Sequence, residues 1–162
     1  MQYREIESPV GPLLLAGDEQ GLRLLLFKKG RDKARARPGP GWEPDRGALK
    51  EPVRQVTAYF NGRLRDFDLP LAPLGTTFQC AVWGELQRIP YGETTSYGEL
   101  ARRLGNPKAV RAVGLANGSN PIAIIIPCHR VIGSNGSLVG YGGGLPIKQA
   151  LLALERGQPT LI

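Results

Sequence analysis

Residues 121–127 read Pro-Ile-Ala-Ile-Ile-Ile-Pro, an apolar, largely β-branched run fenced by two prolines, and the run ends on Cys128-His129-Arg130. β-branched side chains suit extended backbone, and an unbroken apolar run suits a segment covered on both faces. The spacing therefore predicts a fully buried extended segment around which the rest of the chain must pack. Such a segment holds the residues at its exit in a fixed place, as a positioned nucleophile requires.

The residue types at that exit are scarce in this chain. It has one histidine, His129, and two cysteines, Cys80 and Cys128. Two distant cysteines do not make a disulfide framework. A closed zinc site takes four nitrogen or sulfur ligands, and no CxxC pair exists here, so no metal or other cofactor is expected. A free thiol has a pKa of about 8.5, and a neighbouring imidazole or cation lowers it. Cys128, beside His129 and Arg130, is the candidate nucleophile. Cys80 lacks such neighbours and reads as a core residue.

A chain of 162 residues makes one domain or two small lobes. The expected class is α/β. In the first lobe, residues 1–74, runs at 2–6, 12–16 and 21–27 read as an antiparallel meander. Residues 28–46 are basic and rich in Pro and Gly, a solvated surface loop. Leu49, Val53, Val56 and Phe60 give a helix over 48–60, and Leu64, Phe67 and Leu69 suggest a further strand over 64–69. Pro70, Pro73 and Gly75 mark the boundary.

The second lobe, residues 75–162, reads as mainly helical. A helix over 77–88 turns Phe78, Val82, Trp83 and Leu86 inward. Ser96 and Glu99 fit a capping box for the next helix. Asn106 and Pro107 read as cap and first residue of a helix over 107–117, lined with Ala109, Ala112, Gly114 and Ala116. Two short helices joined by a turn containing Gly105 make a helix-turn-helix candidate. A glycine-rich loop at 133–144 and a last helix, ending at Gly157-Gln158-Pro159, complete the lobe. No apolar run approaches the ~20 residues of a membrane span, and the N-terminus lacks a signal-peptide pattern, so a cytoplasmic protein without membrane contact is expected. The net charge of +7 favours a polyanionic partner.

These features leave three classes open. One is a cysteine-nucleophile enzyme acting on nucleic acid. Another is a helix-turn-helix binding module with a structural cysteine, and the third is a cysteine hydrolase acting on peptides. Arg111 on the lean helix could touch DNA, and Gly140-Tyr141-Gly142-Gly143-Gly144 lets backbone N–H groups approach a ligand. Glu155 could orient His129, although from sequence alone it reads as a solvent-facing carboxylate.

Ile126-Pro127-Cys128-His129-Arg130-Val131 resembles the active-site motif of the O6-alkylguanine-DNA alkyltransferases. Supporting segments are Val82-Trp83, Ile89-Pro90-Tyr91-Gly92-Glu93-Thr94, Ser96-Tyr97, Gly105-Asn106-Pro107, Arg111-Ala112-Val113-Gly114, Asn120-Pro121 and Gly143-Gly144-Leu145. The first lobe matches more loosely, through Tyr59-Phe60-Asn61-Gly62.

The resemblance implies a ribonuclease-H-like first lobe and a monomer that acts on double-stranded DNA carrying O6-alkylguanine, with O4-alkylthymine as a further candidate substrate. It implies that Cys128 takes the alkyl group in a single irreversible turnover. His129 removes the thiol proton through a water, Glu155 orients His129, and Tyr97 serves N3 of the departing guanine. Arg111 fills the gap left by a flipped nucleotide, while Ala112, Gly114, Thr95 and Ser96 meet the DNA. Asn120 orders the active-site turns, Lys148 supports the site's backbone, and Val131, Tyr141, Gly142 and Gly143 line the base pocket. Gly142 departs from the hydroxyl or larger residue of many relatives. With Ala123 it suggests an open pocket that accepts adducts larger than methyl, such as benzyl.

Overall fold

The computed structural model describes residues 1–157. Strands β1 (Gln2–Ile6), β2 (Leu13–Asp18) and β3 (Gly21–Phe27) form the expected meander, and β4 (Glu43–Pro44) joins it in the order β3-β2-β1-β4. β1 and β2 pair antiparallel, as do β2 and β3, whereas β4 lies parallel to β1. Leu13 to Ala16 in β2 are fully buried because both faces of the sheet are covered. Leu14, Leu26 and Ala36 make a small core on one face, and the main core lies on the other.

Helix α1 (Lys50–Phe60) sends Val56 and Tyr59 into the main core, and the helical half consists of α2 (Thr77–Leu86), α3 (Tyr97–Arg103), α4 (Val110–Gly118) and α5 (Leu145–Glu155). The halves share one hydrophobic cluster, which joins Leu15, Leu25 and Phe27 of the sheet to Trp83, Leu100, Val113 and Leu151 of the helices. Trp83 Nε1 donates to the Ala116 carbonyl at 2.9 Å, which locks α2 against α4.

The apolar run 122–126 is buried as expected but is not extended. Only its start meets the sheet: Leu25 N–H donates to Pro121 O and Ala123 N–H to Leu25 O, each at 2.9 Å. The chain then turns on itself, with Ile126 N–H on Ile122 O at 3.0 Å. Ile124 has φ +72°, a costly conformation for a β-branched residue. Asn120 holds the turn from inside. Its Nδ2 donates to Ile126 O at 2.7 Å and its Oδ1 accepts from Ile122 N–H at 3.0 Å.

Further expectations change for similar reasons. Residues 64–69 form no strand, because the Gln55 amide satisfies both Asp68 backbone groups, at 2.9 and 3.0 Å. The bridge to the sheet falls at Leu71, opposite Leu22. Residues 28–46 hold a 3-10 turn, Gly30–Ala34, with Asp32 and Ala36 buried, so they are more than a solvated loop.

In the helical half, α4 starts at Val110, later than expected. Asn106 accepts from Ala109 N–H in a preceding turn, and Gly105 closes α3 at φ +76°. Ser96 caps α3 through Glu99 N–H, but the Glu99 side chain pairs with Arg102 and Arg103 instead of reaching back. The reciprocal capping box occurs at α2, between Thr76 and Gln79. Cys80 is exposed, not core, and Phe78 lies at the surface, 36% exposed. α5 ends at Glu155; Gln158 and Pro159 lie outside the described residues.

Candidate active site and nucleic-acid interface

Pro127 leaves the buried turn into a 3-10 turn, Cys128–Arg130, and β6 (Val131–Ile132) comes next, paired parallel with β5 (Thr95–Ser96). The pairing brings the start of α3, and so Tyr97, alongside the cysteine turn. Cys128 is buried and lines a cleft with Asn117, Asn120, Ala123, Tyr141, Gly142 and Asp32. Burial pushes its thiol up to about 11, and the nearby Asp32 carboxylate adds to the rise, while Asn120 and Lys148 oppose it. The resting thiol is therefore neutral at physiological pH.

An imidazole lies next to it in sequence. His129 is fully buried, and its Nε2 lies 2.6 Å from Glu155 Oε2. Glu155 also receives Tyr59 Oη at 2.6 Å, Arg130 Nε at 2.8 Å and Gly92 N–H at 3.4 Å. Burial alone would raise the Glu155 carboxyl, but its contacts with His129 and Arg130 outweigh that and hold it well below the carboxylate range. Burial holds the imidazole below its usual value even against the pull of Glu155. A neutral ring facing a carboxylate donates from Nε2, so Nδ1 keeps a lone pair. This buried atom has no protein partner.

Lys148 Nζ donates to Val131 O at 2.6 Å and to Val139 O at 3.2 Å, tying the cysteine turn to the glycine loop. Burial lowers its pKa. Gly143 leaves no room for a side chain, since a Cβ there would lie 2.7 Å from Phe27 Cδ2.

Gly142 does not open the pocket. A Cβ built on it would meet the Asp32 carboxylate, with Asp32 Cγ at 2.8 Å. The space that glycine leaves is taken by a residue from the first half of the chain.

Tyr97, Arg111, Gly114, Asn117 and Arg31 line a neighbouring surface cleft with Val110 and Leu115. Leu115 is 73% exposed, and Arg111 and Ala112 are also exposed, so α4 presents a lean and partly apolar face to solvent. Burial raises the Tyr97 hydroxyl, as does its proximity to Cys128.

The sequence-derived site thus falls into neighbouring groups. Cys128, Asn120, Tyr141 and Gly142 share the cleft. Tyr97, Arg111 and Gly114 share the outer face, with Ala112 exposed on the same helix. His129, Glu155 and Lys148 stand behind the cysteine turn. Thr95, Ser96 and Val131 belong to the β5–β6 pair, where Val131 is fully buried. Tyr59, Arg130, Asn117, Arg31 and Asp32 join these groups without having been singled out as site residues. Arg130 alone carried a local signal, its place directly after Cys128-His129.

Residues 1–73 match the family model described as the 6-O-methylguanine DNA methyltransferase ribonuclease-like domain, and residues 77–157 match the DNA-binding domain of the same family. The molecule is therefore a ribonuclease-like unit joined to a DNA-binding unit. Among curated relatives, the methylated-DNA–protein-cysteine methyltransferase of Methanosarcina acetivorans is 57% identical over 155 residues, covering 96% of this chain and 98% of the relative. The protein of the same name from Mycobacterium tuberculosis is 53% identical over 159 residues, covering 98% and 94%. The crystal structure of Mycobacterium tuberculosis OGT in complex with DNA superposes with a TM-score of 0.90 at 52% identity, covering 98% of this chain and 96% of that one. The chain belongs to the 6-O-methylguanine DNA methyltransferase family.

Among the described residues, no helix is long and apolar enough to cross a membrane.

Proposed function

We propose that this protein repairs DNA by direct reversal, moving the alkyl group of O6-alkylguanine onto Cys128 in one irreversible step. The observation that carries the reading is the buried Cys128 thiol in a cleft backed by the His129–Glu155 pair and flanked by the exposed face of α4.

In the transfer, the Cys128 Sγ–H bond gives its proton to His129 Nδ1 through a water. Sulfur attacks the alkyl carbon, an S–C bond forms and the C–O6 bond breaks. The electron pair leaves with guanine, and Tyr97 donates a proton towards N3 of the departing base. Glu155 keeps His129 in the accepting tautomer, Asn120 holds the turn that carries the thiol, and Lys148 holds Val131 and the loop that covers the base. Arg111 enters the stack as the damaged nucleotide leaves it, and Ala112 and Gly114 let α4 sit close to the groove. Thr95 and Ser96 contact the backbone beside it. The protein works as a cytoplasmic monomer.

Intact-mass spectrometry after incubation with duplex O6-methylguanine tests this. The expected result is a gain of one CH2 on Cys128 and a product burst equal to the amount of protein. Turnover beyond one equivalent would make the protein a hydrolase. Cys128→Ala should abolish transfer and keep DNA binding.

A further inference from the structure

Asp32 is a buried carboxylate that the transfer chemistry leaves without a task. It comes from the 3-10 turn of the sheet half, 96 residues before Cys128 in the chain, yet it lines the same cleft as that thiol and is only 4% exposed. Its place is held from several sides. Arg35 NH2 donates to Oδ1 at 2.9 Å, Phe27 N–H approaches Oδ2 at 3.4 Å, and Asp32 N–H donates to Gly142 O at 3.0 Å.

The glycine loop is shaped around it. A Cβ on Gly142 would lie 2.8 Å from Asp32 Cγ and 2.9 Å from Oδ2, both closer than real Cβ contacts come. Gly30, two residues before Asp32, abuts the loop as well, with a built Cβ 2.8 Å from Gly143 C. The two backbones therefore meet without intervening side chains, and the Asp32 carboxylate takes up the space next to the nucleophile.

We propose that Asp32 is a specificity-determining residue that sets the upper size of the group Cys128 accepts, by filling the space Gly142 leaves in the cleft. This rests on the alkyl-transfer reading. A pocket wall discriminates by volume, and one methylene too many against it costs about ten- to two-hundredfold in rate. A benzyl group exceeds methyl by far more than one methylene, so the wall should penalise it strongly.

The test is the pair of second-order rates for O6-methyl- and O6-benzylguanine in the same duplex. It compares wild type with Asp32→Ala, Asp32→Ser and Asp32→Asn. Alanine and serine shorten the wall, and serine keeps a hydroxyl acceptor for the Phe27 amide should alanine fail to fold. Both should raise the benzyl-to-methyl ratio by about tenfold or more. Asparagine, of nearly the same volume, should leave the ratio within about threefold of wild type. An unchanged ratio in a folded alanine or serine variant overturns the proposal. So does an asparagine variant that moves as far as alanine, since charge and not size would then be decisive. Wild type that transfers neither group refutes the alkyl-transfer reading itself, a result distinct from either of these.

Discussion

Tyr59 and Glu155 stand 96 residues apart in the chain, and their side chains meet at 2.6 Å. Tyr59 lies on α1 with its ring beside Phe67 and Tyr91, and Glu155 is the last residue of α5. Their contact fastens the two halves together at the carboxylate that pairs with His129. Tyr59 Oη and His129 Nε2 share Oε2, while Arg130 bridges both oxygens. With five donors around it, the carboxylate is buried without being left unpaired.

Removing that charge should be costly. Glu155→Gln leaves Arg130 buried without its counter-charge, and breaking such a pair costs about 3–5 kcal/mol. Tyr59→Phe removes one hydrogen bond to an ion, worth about 1.5–3 kcal/mol. Urea denaturation should rank Glu155→Gln as the less stable of the two.

Acid should destabilise the fold in two stages. The unfolded chain takes a proton on His129 below about pH 6.5, whereas burial keeps the folded imidazole neutral, so stability falls as the pH drops past that point. Burial works to raise the folded Glu155 carboxyl, but His129 and Arg130 outweigh it and hold the carboxyl down. Stability present above about pH 4.5 is therefore lost as the pH falls further. Melting temperatures between pH 8 and pH 2 should decline first gently and then, below about pH 4.5, more steeply, and Glu155→Gln should lose the steep part.

Cys128 should be a sluggish thiol towards reagents that bring no base of their own. With its pKa pushed up to about 11, the logarithm of its rate with iodoacetamide should climb with unit slope from about pH 8 to 10. A thiol of ordinary pKa would level off near about 8.5. Exposed Cys80 should be modified first, as peptide mapping would show.

Gly114 is spacious within the protein itself. A Cβ there would meet the Tyr97 ring at 3.8 Å, an ordinary contact. Gly114→Ala should therefore stabilise α4 by about 0.5–1 kcal/mol through backbone entropy. If the lean face exists for DNA, the same methyl should weaken duplex binding by about tenfold, or 1.4 kcal/mol. A melting curve and a binding titration on one variant check both signs.

Much of the molecule is legible in the sequence because its signals are local. The meander of β1 to β3, α1, α3 and α5 arise from alternation, helical stripes and glycine stops, which act within a few residues. The Cys128-His129-Arg130 motif after a buried run marks the candidate nucleophile for the same reason. Glu155 is different. Its own surroundings in sequence suggest solvent, and only the family resemblance points inward, because burial depends on α5 packing against the cysteine turn and meeting Tyr59.

The remainder was decided by contacts between distant segments. The run 122–126 has the composition of a strand, yet only its first residues find an edge to pair with, and the Asn120 amide closes the others into a turn. Residues 64–69 lose their strand to the side chain of Gln55. Gly142 suggests an empty place, and Asp32 occupies it from the other half of the chain. Periodicity records which face of a segment avoids water. Which partner covers that face, or satisfies a given N–H, is settled by free energy gained across the whole packed core, and no single stretch of sequence contains it.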